Sequence, residues 1–422
     1  MSRNANQVLP PTFNRLAWSN LAAQSAEQVA LAAAPIVAVL ALGAHAGETG
    51  LLQAAQTLPF LLFAIPAGVL ADRLSRRKLM ACAEALRALS LAAVLLLAQG
   101  GLLSLWWLAA LGFIGACGTV VYSVVAPALV PALVPASLLS AANARIELAR
   151  TVAFACGPAL AGALVGWTGA DLAFGFATAL SACAAGLLFR LAEPLRAPTR
   201  GRNAWAEVRE GASFVMKHPL LASVFGTQVV FNASFFMMQA MYVPYAVHSL
   251  GLSASVIGLT LSALGVGMVS GALAANRLAR RVPFGTLVAI GPVCGLASAL
   301  AMLLTLWLPS PVLAGASFFL IGAGPAIWVI STGTLRQAVT PSPLLGRVSA
   351  MFTMAQGSRP LGALAGAFIG GLYGAEACLV AVTIGFLLQA SIILASPAAR
   401  LARQPLAFAP GNVPVSIHEL TG

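Results

Sequence analysis

A carboxylate lies deep inside the first long apolar run of the chain. Glu27 follows about 13 residues after this run begins at residue 14, which is roughly 20 Å of helix. An unpaired charge at that depth costs at least ~2.5–3.5 kcal/mol, so its presence indicates a function. A carboxyl group there could bind and release a proton in each cycle of a reaction. The alternative is a carboxylate that only stabilises the fold through hydrogen bonds to neighbouring helices.

Amide side chains lie on the same side of this helix as Glu27. Asn20, Gln24 and Gln28 recur at the three- to four-residue spacing that forms one helix face. Such a stripe favours a wet cavity, to which other apolar runs add scattered polar and aromatic groups. The predicted cavity residues are Asn20, Gln24, Gln28, Gln53, Gln56, Tyr122, Gln228, Asn232, Phe235, Gln239, Tyr242, Trp328 and Arg359. Amides and aromatic rings with one carboxylate suit bulky, amphipathic or cationic compounds.

One cation, Arg359, also falls inside an apolar run. Three roles remain open for it. It pairs with Glu27, contacts an anionic group of a substrate, or bonds backbone carbonyl groups.

Further charges surround the turn between the second and third apolar runs, Gly68-Val-Leu-Ala-Asp72-Arg73-Leu-Ser-Arg76-Arg77-Lys78. Two pairs of opposite charge follow at i,i+3 spacing, where they either form local salt bridges or contribute to a latch that closes one side of the protein. We favour the latch for Asp72, Arg73, Glu84 and Arg87. The predicted gate comprises Gly68, Asp72, Arg73, Arg76, Arg77, Glu84, Arg87, Glu147 and Arg150.

Gly157, Pro158 and Gly162 predict a bendable helix at a tight interface. Proline removes one helix hydrogen bond, and glycine permits close backbone approach.

The composition excludes a soluble globule, because 60% of the 422 residues are hydrophobic and 8% are charged. Twelve apolar runs are long enough to cross a hydrocarbon core of roughly 30 Å as helices. We therefore predict an all-α membrane protein with twelve transmembrane helices. The predicted spans are 14–42, 49–71, 79–99, 104–131, 141–167, 171–191, 219–247, 253–275, 284–308, 311–335, 345–371 and 375–396.

The loops between these spans differ in charge. Lys and Arg concentrate in the termini and the even-numbered loops, and the odd-numbered loops contain none. By the positive-inside rule, both termini are cytoplasmic. The net charge of +12 therefore reflects topology and does not indicate a nucleic-acid partner.

The two halves of the sequence repeat. A shift of 204 residues places Arg73-Leu-Ser-Arg76-Arg77 on Arg277-Leu-Ala-Arg280-Arg281 and Glu27 on Phe231, so the acid is unique to the first half. Many secondary transporters have such repeats. We predict six-helix domains at 1–192 and 219–396, a cytoplasmic linker at 193–218 and a disordered cytoplasmic tail at 397–422. An apolar pattern from Trp205 to Val215 predicts a short helix at the membrane surface.

The Gly68–Lys78 turn resembles the signature loop of the major facilitator superfamily, in which the residues matching Asp72 and Arg73 help to lock the cytoplasmic gate. Gly157-Pro158 with Gly162 is similar to part of a motif in that family's proton antiporters. The Glu84-x-x-Arg87 pair, the linker from Val208 to Pro219 and Leu344-Leu-Gly-Arg-Val-Ser resemble the branch that contains the enterobactin exporter and macrolide efflux proteins. In this branch an acid commonly occupies the Glu27 position.

The residues and the resemblance together predict a secondary transporter of the inner membrane, and not an enzyme. It exports an amphipathic, drug-like small molecule in exchange for protons by alternating access. The alternatives are a siderophore exporter of the enterobactin type or an importer, and a receptor or scaffold without transport. The sequence contains no GxxxxGK[ST] signature for ATP, and its six cysteines stand singly. We predict a monomer in the lipid bilayer, whose partners are the substrate and protons, with no cofactor, metal or nucleic acid.

Overall fold

The computed structural model describes residues 9–135, 138–192, 204–341 and 344–403, which are almost entirely helical. The α-helices in these ranges are α1 (Pro11–Leu40), α2 (Ala46–Arg73), α3 (Arg76–Gln99), α4 (Leu105–Leu133), α5 (Leu139–Thr168), α6 (Ala170–Phe189), α7 (Ala204–Lys217), α8 (Pro219–His248), α9 (Ala254–Leu278), α10 (Phe284–Leu304), α11 (Pro311–Val339), α12 (Leu345–Met354) and α13 (Ser358–Ala395).

Eleven helical segments of the described chain are long and apolar enough to cross a membrane. The last of them, Leu345–Ala395, has 51 residues and contains two of the predicted spans. It breaks at Gly374, where φ is 81° and ψ is −177°, a conformation that side chains other than glycine rarely adopt. Each of the twelve predicted spans therefore has a helical counterpart, and the predicted all-α membrane fold is confirmed.

Short polar turns separate the helices. Ser75 caps the start of α3, and its Oγ accepts a 3.3 Å hydrogen bond from the backbone N–H of Lys78. Ser104 caps α4 in the same way, with a 3.4 Å bond from the N–H of Trp107. The Ser75 cap lies within the charged Gly68–Lys78 motif and marks where α3 starts.

The helices divide into two compact units. The first comprises Met1–Ala44, Ala55–Gly201 and Ser253–Gly258. Within it, α1 packs on α5 and α6, and α3 packs on α4 and α6. Its core contains large side chains that are fully buried: Phe13, Leu16, Met80, Leu129, Leu188 and Leu191.

The second unit comprises His45–Ala54, Arg202–Leu252 and Leu259–Gly422. Here α8 packs on α13, and α10 packs on α11 and α13. Under the 204-residue shift, these pairings correspond to α1 with α5 and α6, and α3 with α4 and α6. The internal repeat is thus visible in how the helices pair within each unit.

The linker helix α7 lies against protein in the second unit. Val215 is fully buried in a cluster with Leu220 and Val348, and Gly211 lies against the backbone of Arg347. Glu210 also forms an ion pair with Arg347. The apolar residues that predicted a membrane-surface helix therefore include ones that pack on α12.

The expectation of disorder from residue 397 is wrong for its first residues. Pro397–Arg400 form a 3₁₀ turn, and Ala398 and Leu401 are buried. The N–H of Gly285 donates a 2.7 Å hydrogen bond to the carbonyl of Leu401, which holds this segment against the start of α10. The rest of the predicted tail, residues 404–422, lies outside the described part of the chain.

Large apolar side chains cover the outside of the helices. Trp106 and Trp167 are 79% and 77% exposed, and both lie beside odd-numbered loops. Tryptophan at helix ends is typical of the boundary between hydrocarbon and water. Together with exposed leucines such as Leu89 and Leu273, these residues form the surface expected of helices that face lipid.

Candidate functional site

A buried charge cluster occupies the first unit. It consists of Glu27 on α1, Glu84 and Arg87 on α3, and Thr119 on α4. Arg87 forms an ion pair with Glu84 through one terminal nitrogen, Nη2. Its other terminal nitrogen, Nη1, lies 3.5 Å from Glu27 Oε2 and donates a 3.2 Å hydrogen bond to Thr119 Oγ1. One guanidinium thus joins three helices.

The members of the cluster differ in how exposed their side chains are. The side chain of Glu84 is 0% exposed and that of Arg87 is 4% exposed, whereas that of Glu27 is 18% exposed. Glu84 also forms the closer contact with Arg87. Glu84 is therefore the fully buried counter-ion of Arg87, and Glu27 is the more exposed of the two carboxylates.

Small residues in α4 let it approach α3 at the cluster. Gly118 lies against the carbonyl oxygen of Ala83, and a side-chain carbon at Gly115 would lie 3.9 Å from Arg87 Cγ. Because these two positions have no side chain, the two backbones come close enough for Thr119 to reach the guanidinium.

The third helix of the cluster, α1, is held by α5. Asn20 Nδ2 donates a 3.2 Å hydrogen bond to the carbonyl of Ile146. One residue beyond Glu27, Gln28 is buried against Gly157, where an added side-chain carbon would lie 2.5 Å from Gln28 Cβ. Asn20 and Gln28 therefore set the position of α1, and with it the direction in which Glu27 points.

The cluster carries a formal charge of −1 when all its groups are ionised, because two carboxylates share one guanidinium. Burial makes any uncompensated charge costly. A proton on one carboxyl group would make the cluster neutral. Of the two carboxylates beside the guanidinium, Glu27 is the more exposed.

Glu84 and Arg87 were assigned to the gate from their spacing. The structure instead places them beside Glu27 in the buried cluster, a grouping that the sequence reasoning missed. Their i,i+3 spacing already gave each of the two residues a partner of opposite charge, and no sequence pattern linked either of them to α1. Thr119 was not among the predicted site residues, and only the fold shows that it bonds to Arg87.

The side chain of Arg77, a predicted gate residue on α3, bonds to the end of α6, as does that of Arg15, which was not predicted for the gate. Arg77 Nη1 donates a 2.8 Å hydrogen bond to the carbonyl of Leu191, and Arg15 Nη1 donates a 2.9 Å bond to that of Arg190. Cations are favourable at a helix C-terminus, where carbonyl groups lack partners within the helix. Arg77 thereby ties the start of α3 to the end of α6.

Gly68 and Arg76, two further residues of the predicted gate, lie on α2 and α3. Gly68 lies in α2, and a side-chain carbon added there would lie 4.0 Å from Val124 Cγ1. Arg76 is the first residue of α3. The side chains of Asp72 and Arg73 lie outside the described part of the structure. Their predicted role in the latch therefore stays a prediction.

Glu147 and Arg150 form an exposed pair within α5. Arg150 Nε lies 3.0 Å from Glu147 Oε2, and the two side chains are 40% and 57% exposed for Arg150 and Glu147 respectively. The arginine also lies over the ring of Phe154 at 5.6 Å. This geometry is that of the local salt bridge, one of the two roles considered for the pair.

In the second unit, Arg359 on α13 contacts the polar stripe of α8. Its Nε donates a 3.2 Å hydrogen bond to Asn232 Oδ1, and its guanidinium carbon lies 5.1 Å from the centre of the Phe236 ring. Asn232 Nδ2 donates to the carbonyl of Gln228, and Gln228 Nε2 donates to that of Phe352.

The predicted cavity residues fall into a buried set and a half-buried set. Several are packed inside a unit; Tyr242, for example, bonds to Thr260 Oγ1 and packs edge-on against Phe318. The buried ones are Asn20, Gln28, Gln56, Tyr122, Asn232, Tyr242 and Trp328. The half-buried ones are Gln24, Gln53, Gln228, Phe235, Gln239 and Arg359. The half-buried set is the more exposed part of the predicted cavity residues.

The helix-bend motif makes close contacts on two sides of α5. Gly157 faces Gln28, as described above, and Pro158 lies inside the helix. Gly162 lies against Gly258 at the start of α9, in a segment of the same unit. The predicted tight interface is present, and the predicted bending stays untested.

A cavity of about 350 Å³ lies in the second unit, apart from all the predicted cavity residues. It opens between the end of α8, the end of α10 and the break in α13. Tyr245, Thr305, Tyr373 and Glu376 are among its lining residues, and the hydroxyl groups of Tyr245 and Thr305 are 2.7 Å apart. No motif in the sequence predicted it, because its walls come from three separate helix ends.

The fold and the buried charges indicate the class of protein. The chain is a helical membrane protein of two similarly built units, as secondary transporters are. The sequence model of the Major Facilitator Superfamily matches residues 16–363, and the chain belongs to that superfamily. It is therefore a secondary transporter of a small molecule across a membrane, and not an enzyme. No curated protein sequence matches the chain.

Solved structures of other transporters share the fold. The nucleoside transporter NupG is 13% identical, with a TM-score of 0.72 over 91% of this chain and 99% of that chain. A bacterial homologue of the iron transporter ferroportin is 15% identical, with a TM-score of 0.73 over 92% and 99% of the two chains. The human organic anion transporter MFSD10 is 20% identical, with a TM-score of 0.62 over 91% and 100%. At these identities the similarity shows the fold alone.

Proposed function

We propose that this transporter exports an amphipathic small molecule in exchange for protons, with Glu27 as the proton carrier. The observation that supports the proposal is the asymmetry of the two carboxylates on Arg87. The side chain of Glu84 is fully buried and forms the shorter contact with Arg87. The side chain of Glu27 is partly exposed and forms the longer contact with Arg87. A proton carrier must meet water in part of each cycle, and of this pair Glu27 has the more exposed side chain.

The cluster can couple protonation to conformation through its net charge. With a proton on Glu27, one guanidinium faces one carboxylate and the cluster is neutral. Loss of the proton leaves an extra negative charge beside a low-dielectric interior, which is unfavourable wherever water cannot reach it. Conformations that differ in how far water reaches Glu27 therefore differ in their affinity for the proton, which is the condition for coupling.

Alternating access in this proposal involves the domains 1–192 and 219–396, joined by the linker 193–218. Asp72 and Arg73 act at the cytoplasmic gate, as the resemblance of their turn to the superfamily's signature loop implies. Membership of the superfamily argues against the receptor or scaffold considered from sequence, because that family consists of transporters. The resemblance to the branch of the enterobactin exporter and macrolide efflux proteins supports export over import.

The distribution of Lys and Arg supports an inner-membrane protein with both termini in the cytoplasm. The exposed Trp106 and Trp167 beside odd-numbered loops fit a membrane boundary at that end of the helices.

Everted membrane vesicles test the proposed function. In vesicles that contain the protein, an imposed proton gradient, acid inside, should drive accumulation of a fluorescent amphipathic compound. A protonophore should abolish the accumulation, and vesicles without the protein should show none. Accumulation that is unaffected by the protonophore would contradict proton coupling.

A further inference from the structure

Three helix ends surround the cavity of about 350 Å³ in the second unit. Ser249 is the C-terminal cap of α8, Thr305 is that of α10, and Gly374 is the break in α13. All three residues line the cavity. The C-terminal end of a helix carries a partial negative charge, because its last carbonyl groups lack partners within the helix. Three such ends make the cavity favourable for a positive charge.

The break in α13 also creates a helix start, which acts in the opposite direction. The part of α13 that follows Gly374 has a positive N-terminal end worth roughly half an elementary charge. Glu376 lies two residues after the break and lines the cavity. Its full negative charge exceeds that of the helix start, so the cavity stays negative overall.

The floor of the cavity consists of two buried hydroxyl groups, those of Tyr245 and Thr305. Their oxygens are 2.7 Å apart, and the Thr305 hydroxyl donates to the carbonyl of Met302. A hydroxyl group has one proton, so the Tyr245 hydroxyl must be the donor to Thr305. Any further partner of the Tyr245 oxygen must therefore donate a hydrogen bond to it.

The rim of the cavity combines an aromatic ring with a carboxylate. Tyr373 and Glu376 are both exposed and lie on either side of Gly374. The nine described residues that line the cavity include this one acid and no Lys, Arg or His. Aromatic rings and carboxylates attract cations, and hydroxyl oxygens accept from their N–H groups.

The size of the cavity indicates an organic ligand. Small-molecule sites occupy about 300–1,000 Å³, and this cavity lies near the lower limit. A single metal ion would fill little of it. The described part of the chain also contains no group of three metal-ligating His, Cys, Asp or Glu side chains. An ammonium group attached to one ring or a short alkyl chain matches both the volume and the lining.

We propose that this cavity is a binding site for a small organic ammonium ion. The N–H groups of the ligand donate to the Tyr245 oxygen and to the Glu376 carboxylate, and its organic part lies on the ring of Tyr373. The site lies at odd-numbered loops, which the proposed topology places outside the cell. The inference goes beyond the proposed export and does not depend on it, because binding is measured at equilibrium without a proton gradient.

The test uses the purified full-length protein in lipid nanodiscs at neutral pH, with two ligands of similar shape. Benzylammonium carries the charge, and benzyl alcohol is its neutral counterpart. Calorimetry should show that the cation binds at least about fivefold more tightly, because only the cation gains from the carboxylate and the aromatic ring. Equal affinity for the two ligands would overturn the proposal.

Glu376→Gln then locates the charge that the ligand meets. This variant should weaken benzylammonium binding at least about threefold and leave benzyl alcohol binding unchanged. Glu48→Gln is the matched control, because Glu48 is an exposed acid at another odd-numbered loop of the same unit and does not line the cavity. It should bind benzylammonium as the unmodified protein does. Unchanged affinity in Glu376→Gln, or an equal loss in Glu48→Gln, would refute the site.

Tyr245→Phe tests the floor of the cavity. It removes the acceptor oxygen, so benzylammonium should bind at least about threefold more weakly. Benzyltrimethylammonium has no N–H group, and its affinity should not change. Unchanged binding of benzylammonium, or an equal loss for both cations, would contradict a hydrogen bond from the ligand to Tyr245.

The proton carrier provides the last comparison. Glu27→Gln should keep its affinity for benzylammonium within about twofold, since Glu27 belongs to the first unit and the cavity to the second. A loss as large as that of Glu376→Gln would place the cation at Glu27, which would also overturn the proposal.

Discussion

Glu27 Oε2 lies 3.5 Å from Arg87 Nη1, and this contact joins α1 to α3 across 60 positions of the sequence. Arg87 is already paired with Glu84. Glu27 is therefore a second carboxylate beside a guanidinium that already has one. The proposed mechanism assigns control of the transport cycle to protonation of this second carboxylate, Glu27.

Arg87→Gln should destabilise the protein strongly, because it leaves Glu84 buried without its cation. Breaking a buried pair from one side costs about 3–5 kcal/mol. Arg150→Gln breaks the other i,i+3 pair of the first unit, whose side chains are exposed, and should cost about 0–1 kcal/mol. Reversible unfolding of the two variants in detergent micelles measures both. Equal destabilisation would contradict the burial of the cluster.

Gly157→Ala should loosen the contact between α1 and α5. The new methyl group would lie 2.5 Å from Gln28 Cβ, so the helices must separate and the melting temperature should fall. Gly186→Ala on α6 is the control, because a side-chain carbon there meets nothing within 4 Å. It should leave the melting temperature unchanged or raise it slightly, since alanine favours helix by about 1 kcal/mol over glycine. A stable Gly157→Ala protein would show that this contact is not tight.

Asp72→Asn should reduce transport strongly while the protein stays folded and inserted. The expected cause is loss of a contact that exists in only one state of the gate, so core packing is unaffected. Transport rate and melting temperature should be measured on the same preparations, with Arg73→Ala in parallel. Normal transport by both variants would exclude a latch at this turn.

The orientation can be checked by thiol labelling in intact cells, starting from a variant without the six native cysteines. Single cysteines at His45, Gly101 and His248 should react with a membrane-impermeant maleimide added outside, because odd-numbered loops are predicted to be external. Cysteines at Ser75 and Asn203 should react only after the cells are opened. Labelling of Ser75 from outside would reverse the proposed topology.

The helices were predictable from sequence, and the cluster was not. Apolar runs of sufficient length specify membrane spans almost without reference to the rest of the chain, and the repeat of Arg73–Arg77 at Arg277–Arg281 anticipated the matching helix pairs. The partner of Glu27 depends on which faces of α1 and α3 meet. That choice is set by packing at glycines such as Gly118 and Gly157, whose contacts lie on other helices.

The same limit explains the errors at the edges of the fold. The segment at 397–401 is apolar enough to pack, but only the start of α10 shows what it packs against. The cavity beside Tyr245 and Glu376 likewise arises where three helix ends meet. Contacts between residues far apart in sequence leave no local pattern, whereas membrane spans do.

Transport by Glu27→Gln in proteoliposomes tests the central claim most directly, because the amide mimics a carboxyl group that always holds its proton. The variant should exchange substrate across the membrane in counterflow, yet it should not expel substrate against a gradient when protons drive the reaction. Glu27→Asp should retain part of the driven efflux, since the titratable group remains, and Glu147→Gln should retain all of it as the exposed control. If Glu27→Gln instead pumps substrate uphill as fast as the unmodified protein, Glu27 is not the proton carrier.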